Sequence, residues 1–123
     1  MSQKDFHGII VKESIIDPSI LDKVAILGRQ SGKDWELMKV CIGAHRIEQF
    51  IREVAMNLKT KDGVPFYAHF YSEEELVVVF PSKVFHIKTD KATWKPVIDY
   101  GISFGIPIEQ LDFYPCRLTE EIY

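Results

Sequence analysis

The chain has 123 residues, of which 46% are hydrophobic and 27% are charged, a composition typical of a folded globular protein rather than a disordered segment. Its formal net charge of −3 provides no general attraction for nucleic acid or for anionic lipid. The length predicts a single domain over residues 1–123, with residues 1–5 and 117–123 frayed.

The cysteines and the N-terminal sequence indicate an intracellular environment. Cys41 and Cys116 are the two cysteines, and they form no CxxC pair that could bind zinc or act as a dithiol. The opening MSQKDFHGII lacks the apolar core of a signal peptide, and no apolar run is long enough to span a membrane. We therefore expect a cytoplasmic protein with reduced thiols, no membrane partner and no cofactor.

The first third of the chain predicts strands. Residues 6–13 have the pattern of a strand, and Asp17-Pro18-Ser19 begins either a short helix ending at Gly28 or a single helical turn. We favour the single turn, because the alternating residues of 35–42 need an antiparallel neighbour. This predicts a β-hairpin that pairs residues 24–30 with residues 35–42 across a turn at 31–34.

The same stretch has a superficial similarity to a phosphate-binding loop. Only three residues separate Gly28 from Gly32-Lys33, whereas the loop requires four, and Asp34 replaces the hydroxyl residue that would bind magnesium. A strand pattern follows instead of a helix, so the sequence argues against a nucleotide site.

An amphipathic helix is predicted at residues 44–58, where Ile47, Phe50, Ile51, Val54 and Leu58 form one apolar stripe. The next residues predict a three-stranded meander over 66–71, 76–80 and 84–88.

The second predicted helix is capped by Thr93 or Asp90 and contains Pro96 in its first turn. It runs to Phe104, where Gly105 supplies the left-handed stop and Pro107 prevents continuation. The remaining apolar residues of 106–116 are expected to fold back over the core.

These elements predict an α+β fold in the order βββαβββα: a mostly antiparallel sheet of five or six strands with two helices packed on one face. The repeated order is compatible with a worn duplication. The position of the first strand in the sheet is left open by the sequence.

Within the meander, a turn over Pro81-Ser82-Lys83 would place Phe80 opposite Val84. Phe85 and Ile87 would then face the helices, and His69 and His86 would share a row on the other face. That second face would be left toward solvent although it is strongly apolar. Its candidate binding or interface residues are Tyr67, His69, Tyr71, Val78, Phe80 and His86.

The favoured functional hypothesis is a binding or assembly protein that forms a homodimer through this second face. The alternative is a small enzyme or ligand-binding protein with a pocket of histidine and tyrosine on the same face, which would make a small molecule a second partner.

Other chemistries are less well supported by the sequence. The four histidines include no HxH or HExxH motif that would predict a metal site. Cys41 and His45 could meet near the first helix, but a small buried thiol is the simpler interpretation. Nucleic acid is disfavoured because few cations accompany the aromatic residues. No catalytic residue can therefore be assigned.

Overall fold

The structure, a computed structural model, describes residues 5–31, 36–73, 75–108 and 111. Within these residues the strands are β1 (Phe6–Val11), β2 (Ala25–Ser31), β3 (Glu36–Ile42), β4 (Thr60–Lys61), β5 (Val64–Pro65), β6 (Ala68–Tyr71), β7 (Glu75–Phe80) and β8 (Lys83–Lys88). The α-helices are α1 (Ile47–Asn57) and α2 (Lys95–Ser103), and shorter 3-10 helices cover Lys12–Ser14, Pro18–Lys23 and Lys91–Thr93.

Six strands form one antiparallel sheet in the order β2-β3-β1-β6-β7-β8. This confirms the α+β class and the six-stranded alternative. The first strand, whose place the sequence left open, lies between β3 and β6 and joins the β2–β3 hairpin to the β6–β7–β8 meander. The strand order differs between the two halves of the chain, which does not support a duplication.

The chain before β2 forms the predicted single helical turn rather than a longer helix. Asp17 accepts a hydrogen bond from the Ser19 backbone N–H at 3.1 Å, as an N-cap residue does. Pro18 occupies the first turn, where its missing N–H is harmless.

Helix α1 covers the first face of the sheet with the predicted stripe. Phe50 and Val54 are 2% and 0% exposed, and the Phe50 ring meets Phe70 of β6 edge-on at 5.8 Å. The sheet contributes alternate residues of its strands to this core, among them Ile10, Val40, Val77 and Val79.

Helix α2 packs on the second face, so the prediction that both helices share one face is wrong. Its residue Val97 joins Leu76, Val78 and Phe80 in a separate core cluster, and Tyr100 lies 4.9 Å from Phe80 between ring centroids. The chain reaches this face by passing around the outer edge of β8, where the Trp94 indole N–H donates to the Lys88 carbonyl at 2.8 Å.

The β7–β8 register also differs from the prediction, by one residue. The turn contains only Pro81 and Ser82, so Phe80 pairs with Lys83 rather than with Val84. Ser82 has a φ of 60°, which this tight turn requires at its second position. Because side chains alternate, the shift moves Phe85 and Ile87 to the second face and His86 to the first.

A small hairpin joins α1 to the main sheet. Strands β4 and β5 pair across Asp62 and Gly63, whose φ values of 54° and 82° are those of a type I′ turn. Among the described residues, no helix is both long and apolar enough to cross a bilayer.

Candidate functional site

The six candidate residues do not form one exposed surface. Val78 and Phe80 are completely buried beneath α2, and His69 and Tyr71 are each 6% exposed. Tyr67 is half-buried and lies 5.7 Å from the Phe80 ring. His86 is exposed but lies on the opposite face, in register with Val77. The expectation that this face is left toward solvent is therefore wrong at its centre.

The second face has an apolar half under α2 and a polar half across β3, β1 and β6. One row of the polar half contains Cys41, His7 and Tyr71, and the adjacent row contains Lys39, Ile9 and His69. The His7 and Tyr71 rings stack with centroids 6.0 Å apart, and His69 lies 6.2 Å from Tyr71. Lys39 is fully buried, which is uncommon for lysine.

These surroundings favour the neutral form of His7. Burial is the main cause that lowers the pKa of His7, and the positive charge of Lys39 lowers it further, while Asp5 acts in the opposite direction. The imidazole of His7 therefore has a structural role, because it stacks on the Tyr71 ring, and it can also titrate.

Cys41 is not an activated nucleophile. Its pKa is raised by burial and by the adjacent Asp5 carboxylate, to which the thiol donates a hydrogen bond at 3.9 Å. A raised pKa keeps the sulfur protonated at neutral pH, whereas nucleophilic catalysis requires the thiolate. The side chain of His45 is exposed and its ring lies against Gly43, whose added Cβ would be 2.9 Å from His45 Cε1.

A shared site for His69 and His86 is ruled out by their positions on opposite faces of the sheet. In the part of the chain that the structure describes, no three side chains of His, Cys, Asp or Glu are grouped as metal ligands.

The most exposed part of the sheet is strand β2, at one edge. Every residue of β2 is exposed except Gly28, which is half-exposed. Ile26 and Leu27 are 36% and 46% exposed, and Leu27 forms a bulge between the registers of Ile26 and Gly28. Arg29 is the single charged residue of the strand, and its guanidinium binds the Glu36 carboxylate at 2.9 Å.

At the opposite edge, the last residue of β8 is engaged by neighbouring side chains. The Lys88 backbone N–H donates to Thr93 Oγ1 at 3.1 Å, and its carbonyl accepts from Thr93 and from Trp94. Lysine side chains stand at both ends of β8, an arrangement that discourages strand pairing. The two edges of the sheet therefore differ in how readily they could accept another strand.

Comparisons with known proteins provide no relative: no family model, curated protein or solved structure matches this chain. The β2 edge is not among the residues that the sequence predicted as candidates. Its sequence signal is the adjacent apolar residues Ala25, Ile26 and Leu27, which fit one strand of a hairpin equally well.

Proposed function

We propose that this protein is a non-catalytic binding module that captures an extended polypeptide strand on the outer edge of β2. The observation that carries the proposal is the exposure of this seven-residue edge strand with its apolar residues Ile26 and Leu27. An edge strand presents a row of backbone N–H and C=O groups that can pair with an added strand.

The positions of the two helices also leave the β2 edge accessible to a partner. Helix α1 contacts β7 and β8, and α2 covers the second face at Leu76, Val78 and Phe80. Neither helix covers β2, whose residues are exposed apart from the half-exposed Gly28. An incoming strand could approach β2 without displacing either helix.

The chemistry of the polar half supports binding rather than catalysis. The pKa of Cys41 is raised, which disfavours the thiolate, and His7 is engaged with the Tyr71 ring. Catalytic sites require a nucleophile or base placed to meet a substrate, and these two side chains lie in a row within the sheet instead.

The proposal is tested by hydrogen exchange with a strand-forming probe, a soluble peptide of alternating Thr and Val with a lysine at each end. Added in excess to dilute protein, the peptide should slow amide exchange in residues 25–31 and leave residues 83–88 unchanged. The Leu27→Lys variant should lose this protection, because a charged side chain on an edge opposes pairing.

The matched control is Ile102→Lys, since Ile102 is exposed to 47%, close to the 46% of Leu27, but lies on α2. This variant should respond to the peptide as the wild type does. Protection that is equal at both sheet edges, or absent from residues 25–31, would contradict strand capture at β2.

A further inference from the structure

We infer that the strand captured by β2 is β2 of a second copy of this chain, joined by antiparallel pairing into a two-fold homodimer. The inference rests on the proposed function, because it names the partner of the same edge. A two-fold axis perpendicular to the sheet makes two identical strands antiparallel, and two-fold dimers are the commonest soluble oligomers.

The charges along β2 permit this self-pairing. Like charges placed directly opposite each other destabilise a strand pair, and Arg29 is the one charged residue of the strand. An axis near Gly28 places Arg29 opposite Leu27 of the second copy and keeps the two Arg29 side chains out of register. Each guanidinium is already neutralised by Glu36 of its own chain.

The apolar residues of the edge favour the same partner. Ile26 lies in register with Val40, on the face that carries α1. A perpendicular two-fold axis keeps equivalent faces on the same side, and an axis near Gly28 places Ile26 of each copy opposite Gln30 of the other. Pairing would therefore cover part of Ile26 and Leu27 in each copy, which adds to the backbone hydrogen bonds across the edge.

The shape of the molecule leaves room for the second copy. Helix α1 packs against β7, β8 and the 3-10 helix at Pro18–Lys23, and β2 itself stays exposed. The two sheets would continue as one, with both α1 helices on the same side and the β8 edges at the two ends. At those ends Thr93 and Trp94 occupy the backbone groups of Lys88, the last residue of β8, and the lysines at both ends of β8 oppose further pairing.

The test is sedimentation equilibrium of the wild type, Leu27→Lys and Ile102→Lys over a range of micromolar concentrations, with circular dichroism to check folding. The expected result is a dimer for the wild type and Ile102→Lys, and a folded monomer for Leu27→Lys whose dissociation constant is raised by about tenfold or more.

Three outcomes would overturn the inference, and they separate it from the proposed function. A dimer that Leu27→Lys leaves intact would place self-association on another surface. A wild type that stays monomeric, but whose β2 amides are protected by the Thr-Val peptide, would leave strand capture standing with a different partner. A monomeric wild type without such protection would end both proposals.

Discussion

His7 couples the stability of the polar half to pH. Its pKa is lowered in the folded state, first by burial and then by Lys39. In the unfolded chain the histidine takes up its proton at its ordinary pKa of about 6.5. As pH falls below that value, the unfolded state therefore binds more protons than the folded state, and the free energy of unfolding decreases.

We accordingly expect His7→Gln to have a shallower loss of stability than the wild type between neutral pH and about pH 5. Urea unfolding at a series of pH values measures this slope. His86→Gln is the control, because that histidine is exposed on the other face. A slope that His7→Gln leaves unchanged would show that another group causes the pH dependence.

Gly8 is required by its contact with Phe70. The two residues pair between β1 and β6, and a Cβ on Gly8 would lie 2.3 Å from Phe70 Cδ1 and 3.0 Å from the His69 carbonyl oxygen. The Phe70 ring cannot easily move, because it is fully buried and packs edge-on against Phe50.

We expect Gly8→Ala to lower the free energy of unfolding by about 1–3 kcal/mol, the usual cost of overpacking. Phe70→Leu tests the cause, since it removes the ring atoms that the new methyl group would meet. In a double-mutant cycle the combined variant should be less destabilised than the sum of the single changes. Additive effects would mean that the contact with Phe70 is not the source of the cost.

At the scale of the elements, the position of α2 determines whether a substitution of Val78 affects folding or only self-association. An exposed Val78 at a dimer surface would tolerate lysine. The residue is instead fully buried between β7 and α2, where an ammonium group loses its hydration without a partner. Val78→Lys should therefore unfold the protein or detach α2, with a loss of several kcal/mol.

Circular dichroism and thermal unfolding of Val78→Lys provide the measurement, and Ile102→Lys on the exposed side of α2 is the comparison. The comparison variant should melt within a few degrees of the wild type. A Val78→Lys protein that is folded and merely monomeric would restore the aromatic second face as the interface.

The elements that the sequence predicted well are those with local signals. The apolar stripe from Ile47 to Leu58 predicted α1, and Asp17 with Pro18 predicted the helical turn. Helix-forming periodicity and capping depend on neighbours within a few residues, so one chain is enough to recognise them.

The errors came from geometry that is not local. A turn of two residues rather than three at Pro81 and Ser82 reversed the faces of β8, because strand side chains alternate with a period of two. Helix α2 reaches the second face by crossing the edge of β8, where Trp94 donates to the Lys88 carbonyl. Neither the turn length nor this crossing has an unambiguous sequence signal. The two errors together led to the prediction of an exposed second face with His69 and His86 in one row.

For the whole molecule, the uneven covering of the sheet has a thermodynamic consequence. Both helices stabilise the β7–β8 half, whereas β2 is exposed on both of its faces. Strand β2 is therefore the part of the sheet that would gain most from a second copy, since binding of a partner to the folded state raises its stability by mass action.

If the dimer forms through β2, the midpoint of thermal unfolding should depend on protein concentration. Calorimetry over a tenfold dilution should show the wild type and Ile102→Lys melting at a lower temperature when dilute. Leu27→Lys should melt at one temperature throughout, at or below that of the dilute wild type, because its folded state is already the monomer. Concentration dependence that persists in Leu27→Lys would place the stabilising contact elsewhere, and a wild type whose midpoint never moves would show that folding gains nothing from a second copy.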